Sequence, residues 1–199
     1  MKILIPMAGM SKRFMKAGVT VPKPLIEVEG LPMIKHIVRN FSDEDEFVFG
    51  INERDDAKTS MASLLKAMVP RNQIIRMPYQ EEGPVASTMQ MSHCVRDDEP
   101  VIVNHCDFSW RWDYDNFKRQ IRENRCDGAV ICYRDFHPHL LGPNLYATLD
   151  AEGFWMKEIR EKFSWHGDKK RIGPVPGLII FEKEYMSKNT FKKSWRDRS

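Results

Sequence analysis

The sequence contains no long hydrophobic run. Hydrophobic residues make up 42% of its 199 residues, yet no stretch approaches the roughly 20 apolar residues that cross a bilayer. The apolar segment at residues 2–6 is too short for a secretory signal, because polar residues resume by Ser11. The sequence therefore predicts no membrane partner and a cytoplasmic location.

Cysteine and net charge are also scarce. The four cysteines include no Cys-x-x-Cys pair, and no paired histidines accompany them. We therefore expect reduced thiols in the core rather than a zinc site. The formal net charge of +3 is too small to indicate a nucleic-acid partner.

Strand-like and helix-like segments alternate up to residue 133. Strands are predicted at residues 2–6, 46–51, 73–77, 101–104 and 128–133. Helices are predicted at residues 32–41, 55–69, 84–95 and 114–123, the last one capped by Asp113. Residues 7–24, with their glycines and prolines, predict one long loop. This alternation predicts an α/β fold with a mostly parallel sheet.

The pattern changes after residue 133. Residues 146–150 and 154–159 flank Ala151-Glu152-Gly153, which predicts a small β-hairpin. Residues 178–181 predict a last strand. A chain of this length supports one core, so we expect a single domain at residues 1–199.

A loop of small residues follows the first strand. Ala8, Gly9 and Ser11 would let backbone N–H groups approach an anion closely, and Arg13 adds a planar donor fork. Lys23 lies between two prolines, which stiffen the backbone that presents its ammonium. The chain lacks the Gly-Lys-Ser/Thr of a Walker loop and the Gly-x-Gly-x-x-Gly of a dinucleotide fold. These residues alone predict only a weak anion site.

Three segments in order resemble the signature of sugar-phosphate nucleotidyltransferases. They read LIPMAGMSKRF (residues 4–14), PKPLIEV (22–28) and GLPMI (30–34), and they are most similar to the branch of capsule and surface-polysaccharide biosynthesis. One departure is Ser11, where many members carry a second glycine. The resemblance implies a Rossmann-like, mixed sheet flanked by helices, a fold shared with GT-A glycosyltransferases, and binding of a nucleoside triphosphate (NTP) with Mg²⁺.

The resemblance also implies roles for the first segment. Arg13 matches the arginine that binds the departing phosphates, and Lys23 matches the lysine that contacts the α-phosphate, so we expect both to be catalytic. The nucleotide would contact the loop that lies between the first strand and Arg13, which is formed by Met7, Ala8, Gly9, Met10 and Ser11.

Two later segments resemble the family's base and metal sites. Gln80 and Gly83 match a Gln…Gly-x-Ala segment that faces the base, where an amide can read a pyrimidine edge; the alternative is a plain helix start at Pro84. Asp107 ends an apolar strand and matches the carboxylate that holds Mg²⁺, a cation that prefers one or two carboxylates with phosphate oxygens. The alternative for Asp107 is a turn cap.

The acceptor side is less strongly marked. Glu161 and Lys162 resemble a Glu-Lys pair that binds the acceptor, although a surface ion pair is the alternative. No residue matches the second metal carboxylate of many members. We therefore divide the domain into a nucleotide-binding half, 1–125, and an acceptor-side half, 126–199, which is either reduced or uses another group.

The expected function is transfer of a nucleotidyl group to a phosphorylated small molecule, with release of pyrophosphate. By family analogy a pyrimidine nucleotide (CTP, UTP or dTTP) is favoured, and the acceptor is a sugar phosphate or another phosphorylated molecule. A GT-A glycosyltransferase is one alternative, but Asp107-Phe108-Ser109 lacks the Asp-x-Asp of that class. A nucleotide-binding module without turnover is another. Homo-oligomerisation stays open.

Overall fold

The computed structural model describes residues 1–79, 81–96, 99–124, 128–131, 148–152, 155–160, 172–174 and 179–181. The chain forms two compact units, one of Met1–Ala129 with Ile180–Ser199 and one of Val130–Ile179. None of the helices in the described ranges is both long enough and apolar enough to span a bilayer. The division into halves at residues 125 and 126 stays a prediction.

The described strands form a six-stranded sheet, a three-stranded sheet and a two-stranded hairpin. In chain order they are β1 (Lys2–Met7), β2 (Glu27–Val28), β3 (Leu31–Pro32), β4 (Glu46–Asn52), β5 (Asn72–Met77), β6 (Val101–Val103), β7 (Gly128–Val130), β8 (Thr148–Glu152), β9 (Trp155–Arg160), β10 (Ile172–Pro174) and β11 (Ile179–Phe181). The large sheet has the order β5-β4-β1-β6-β11-β7.

Four strands of the large sheet, β5, β4, β1 and β6, run parallel. Every residue of β1 is buried, as the nearly continuous apolar run predicts for a strand covered on both faces. The helices are α1 (Lys12–Lys16), α2 (Met33–Val38), α3 (Glu53–Thr59), α4 (Met61–Met68), α5 (Pro84–Met91) and α6 (Tyr114–Asn124), with 3₁₀ turns at Lys23–Leu25 and Ser92–Cys94. The predicted α/β fold is confirmed.

One loop prediction and one helix prediction are wrong in detail. Residues 7–24 are not one loop, because α1 lies within them and the first 3₁₀ turn begins there, at Lys23. Helix α1 buries no residue, so it lacks the apolar periodicity that would have marked it. The predicted helix at 55–69 is two helices, since Ser60 adopts a left-handed φ of 53° between α3 and α4.

The predicted hairpin is confirmed as β8 and β9, which pair antiparallel in a small sheet of order β10-β8-β9. Asp113 caps α6 as predicted, since its carboxylate accepts from the Asn116 N–H at 2.9 Å. The hairpin of β2 and β3 was not predicted; its turn needs positive φ at Glu29 (51°) and Gly30 (77°). Of the cysteines, Cys94 and Cys106 are free, and the other two lie outside the described residues.

Candidate functional site

The site residues that the sequence predicts follow the carboxyl ends of parallel strands. Gly9 follows β1, Gly83 follows β5 and Asp107 follows β6. Because these strands are parallel, their carboxyl ends lie along one edge of the sheet, which is where ligands of open α/β sheets bind. Local apolar runs thus bring distant polar segments to a common edge.

The predicted phosphate loop leaves β1 from the buried centre of the sheet. Met7 and Ala8 are buried, whereas Gly9 and Met10 are exposed. Ser11 adopts a left-handed conformation with φ 52° and ψ 40°, which favours glycine. The loop therefore retains a glycine-like backbone at the position where the sequence departs from the family.

The exposed side of this loop is open. A Cβ added at Gly9 would meet no heavy atom within 4 Å. Arg13, on α1, is exposed, and among the described residues its guanidinium has no hydrogen-bond or ion-pair partner. Loop backbone and arginine are thus available to an anion.

Lys23 and Asp107 form an ion pair although 84 residues separate them in the sequence. Their side chains are 21% and 31% exposed, so both are partly screened from water yet reachable. The Lys23 ammonium also lies over the ring of Phe14, 5.5 Å from its centroid. The structure therefore brings the predicted phosphate lysine and the predicted metal carboxylate into direct contact.

The segment that carries Asp107 is anchored to the end of α2. The Ser109 hydroxyl donates to the backbone carbonyl of His36 at 3.3 Å, and the Trp112 indole N–H donates to that of Asn40 at 2.7 Å. Helix α2 also packs beside the 3₁₀ turn that carries the lysine. One helix therefore supports both members of the ion pair.

The residues beside Asp107 are electrically neutral near pH 7. Burial raises the pKa of the Cys106 thiol to about 12, and the Asp107 carboxylate adds to the rise. Burial lowers the pKa of His105 below its usual value, although Asp107 opposes this effect. Neither side chain is thus poised as a thiolate or a cation, and the charges here are those of Lys23 and Asp107.

The predicted base segment is described in part. Gly83 has a φ of 90°, which favours glycine, and it precedes Pro84 at the start of α5. Gln80, like the predicted acceptor residues Glu161 and Lys162, lies outside the described residues. Next to it, Glu81 accepts from the Lys12 ammonium at 3.1 Å. This exposed ion pair joins α1 to the base segment and was not predicted.

Two buried asparagines at the same sheet edge were also not predicted. Asn52 ends β4, and its amide donates to the Ala8 carbonyl at 3.3 Å. Asn104 follows β6 fully buried, and neither polar atom of its side chain has a partner among the described residues. A polar residue directly after an apolar strand was the available sequence signal, because strand ends collect site residues.

The four parallel strands with their flanking helices are the α/β nucleotidyltransferase fold. A family model described as the MobA-like NTP transferase domain matches residues 3–158. The chain therefore belongs to the family of MobA-like NTP transferase domains and is a nucleotidyltransferase, as predicted. No curated protein matches the chain significantly in sequence.

Solved structures resemble the chain along most of its length. One is a UDP-glucose pyrophosphorylase from Acinetobacter baumanii, with 17% identity, a TM-score of 0.70 and coverage of 93% of this chain and 75% of that one. A nucleoside-diphosphate-sugar pyrophosphorylase from Vibrio cholerae RC9 has 20% identity, a TM-score of 0.68 and coverage of 98% and 78%. The inositol-1-phosphate CTP transferase from T. maritima has 15% identity, a TM-score of 0.68 and coverage of 94% and 72%. At these identities the likeness shows the fold alone.

Proposed function

We propose that the protein transfers a nucleotidyl group from an NTP to a sugar phosphate or another phosphorylated small molecule and releases pyrophosphate. The observation that carries this proposal is the contact between Lys23 and Asp107 at the carboxyl edge of the sheet, where the open loop at Gly9 also lies. An ammonium suits phosphate and a carboxylate suits a divalent cation. Lys23 and Asp107 together match a metal-bound triphosphate, whose phosphates are negative and whose metal ion is positive.

The reaction is an in-line substitution at the α-phosphorus. An oxygen of the acceptor phosphate forms the new bond to phosphorus, and the bond to the pyrophosphate oxygen breaks. No general base is required, because the acceptor phosphate is already ionised. Lys23 would neutralise charge at the α-phosphate and Arg13 charge on the departing pyrophosphate.

The carboxylate of Asp107 is suited to Mg²⁺, which takes one or two carboxylates and completes its shell with phosphate oxygens and water. Among the described residues no group of three or more His, Cys, Asp or Glu side chains could hold a metal alone. We infer that the cation enters with the triphosphate and that Asp107 supplies its protein ligand. When bound, Mg²⁺ would neutralise charge on the phosphates.

The finer assignments rest on the sequence resemblance. A pyrimidine nucleotide and the capsule or surface-polysaccharide branch follow from residues 4–34, and the base contacts of Gln80 and Gly83 from the later segment. Among the structural neighbours, one name specifies a UDP-sugar and another inositol 1-phosphate with CTP. Sugar and non-sugar phosphates are therefore both reasonable acceptors for Glu161 and Lys162 to bind.

A pyrophosphate-release assay tests the function directly. The purified protein is incubated with Mg²⁺, each of CTP, UTP, dTTP, ATP and GTP, and a panel of sugar and polyol phosphates. We expect release with a pyrimidine nucleotide and its loss in Lys23→Ala, with an unchanged melting temperature. Lys58→Ala, at an exposed lysine of α3, is the matched control and should retain activity.

Two results would contradict the proposal. Lys23→Ala that turns over like the wild type would remove the lysine from the mechanism. Tight binding of Mg·NTP without pyrophosphate release for any acceptor would favour a nucleotide-binding module over transfer to a phosphorylated small molecule.

A further inference from the structure

A single buried side chain joins the phosphate loop to the neighbouring strand. Asn52 ends β4 and is 4% exposed. Its amide NH₂ donates to the Ala8 carbonyl at 3.3 Å. Its amide oxygen accepts from the backbone N–H groups of Arg54 at 2.9 Å and Asp55 at 3.4 Å, which caps α3. The NH₂ group of Asn52 thus contacts the loop, whereas its amide oxygen caps the helix.

The contact with Ala8 determines where the next N–H points. A trans peptide is planar, and its C=O and N–H point in opposite directions; the described chain has no cis peptide. Because the Ala8 carbonyl faces the buried Asn52, the N–H of Gly9 faces away from it. Gly9 is exposed and a Cβ added there would meet no heavy atom within 4 Å, so we expect this N–H to face the side from which an anion can approach.

Such an orientation needs support at this position. A peptide next to glycine rotates easily, because glycine tolerates φ and ψ values that other residues avoid. Without the donor from Asn52, the Ala8 carbonyl could turn to the open side and present an oxygen to the phosphates. A hydrogen bond from a buried, helix-capping side chain restricts this rotation.

We propose that Asn52 is a positioning residue for the nucleotide: it holds the Ala8–Gly9 peptide so that the Gly9 N–H donates to the triphosphate. This inference rests on the proposed function, since it takes the bound anion to be the phosphate chain of an NTP. Asn52 itself does not touch the nucleotide. Its effect passes through the backbone of the loop.

Two substitutions separate the tasks of the Asn52 side chain. Asn52→Asp and Asn52→Ser both retain an oxygen that caps α3, because Asp and Ser are favoured N-cap residues. Asn52→Asp also replaces the donor to Ala8 by an acceptor, and the shorter serine side chain withdraws it. We expect the Kd of the best-binding Mg·NTP, and that of Mg·pyrophosphate, to rise about 10- to 100-fold, the effect of losing a hydrogen bond to a charged group.

Asp113→Ala is the matched control. It removes the cap of α6 and should lower the melting temperature without changing the Kd, because α6 contributes no predicted site residue. If Asn52 acts through Gly9, the effects of Asn52→Ser and Gly9→Ala on the Kd will also fall short of additive, as for residues that share one interaction. A purely structural role of Asn52 would lower the melting temperature and leave the Kd of the folded fraction unchanged.

The outcomes distinguish this inference from the proposed function. A wild-type protein that binds none of the Mg·NTP complexes would contradict the function itself. A wild-type protein that binds, with Asn52→Asp and Asn52→Ser binding equally well, would overturn the role of Asn52 alone. If Asn52→Asp fails to fold, Asn52→Ser decides by the same Kd comparison, and full additivity with Gly9→Ala would also refute the inference.

Discussion

Replacing Gly9 by alanine is expected to stabilise the protein and to weaken nucleotide binding. The added methyl meets no heavy atom within 4 Å, and the φ of Gly9 lies outside the left-handed region. Without strain in the folded state, the change acts through the unfolded chain, where glycine to alanine contributes about 0.4–1 kcal/mol. For a chain of this size that raises the melting temperature by about 1–4 °C.

The same methyl would occupy the space through which phosphate oxygens reach the loop backbone. Losing one hydrogen bond to a charged group costs about 1.5–3 kcal/mol, so the Kd of Mg·NTP should rise at least about tenfold. The two effects have opposite signs. This separates the prediction from simple damage to the fold.

Gly50→Ala is the opposite case. A Cβ there would lie 2.6 Å from the Met91 sulfur and 2.9 Å from the Met77 methyl carbon. Overpacking of this kind costs about 1–3 kcal/mol, and flexible methionine side chains place the expected cost in the lower half. We expect a melting temperature lower by about 2–8 °C and a Kd of the folded protein close to that of the wild type.

Thermal unfolding and titration with Mg·NTP measure both quantities on the same three proteins. Wild-type affinity in Gly9→Ala would refute the assignment of the loop as the phosphate site. A lower melting temperature in that variant would refute the interpretation that this side of the loop is open.

Two further predictions concern the backbone of the loop and the response to alkaline pH. Ser11→Gly should leave activity unchanged and alter the melting temperature by less than about 4 °C. The substitution relieves about 1–2 kcal/mol of left-handed strain, but the greater freedom of glycine in the unfolded chain partly offsets this gain. A large destabilisation measured by thermal unfolding would contradict this prediction. Burial beside Asp45 and Asp115 raises the pKa of the Tyr114 hydroxyl above its ordinary value, which is near 10. The stability that Tyr114 contributes is therefore full below about pH 10 and is lost as pH rises toward the raised pKa. Urea unfolding from pH 8 to 11 should therefore show a loss of stability at alkaline pH that is smaller in Tyr114→Phe. An identical loss of stability in the two proteins would exclude this tyrosine as its source.

The chain's local patterns determined the elements of the fold. Apolar runs marked β1, β4, β5 and β6 to within a residue or two, and their alternation with helical segments predicted the parallel sheet. These patterns depend on neighbouring residues, so the sequence contains them directly. Helix α1 was not predicted because it buries no residue and so has no apolar periodicity. The break at Ser60 was not predicted because a single left-handed residue does not change the apolar periodicity of the sequence around it.

The chemistry of the candidate site divides in the same way. The order of Gly9, Arg13 and Lys23 along the chain predicts a phosphate-binding segment by resemblance, and the end of an apolar strand predicts a metal ligand at Asp107. Which of these residues meet depended on the sheet. No local pattern contained the ion pair of Lys23 with Asp107, because 84 residues separate them.

Only the tertiary structure revealed Asn52 as the hydrogen-bond partner of the predicted phosphate loop. Strands β1 and β4 are adjacent and in a register that pairs Met7 with Ile51, so the next residue of each chain segment, Ala8 and Asn52, meets its counterpart at the carboxyl edge. Strand order and register follow from burial of both sheet faces over the whole unit. The sequence alone therefore determined the kinds of elements and the motif that predicts a phosphate loop, whereas the packed sheet decided which buried amide hydrogen-bonds to that loop.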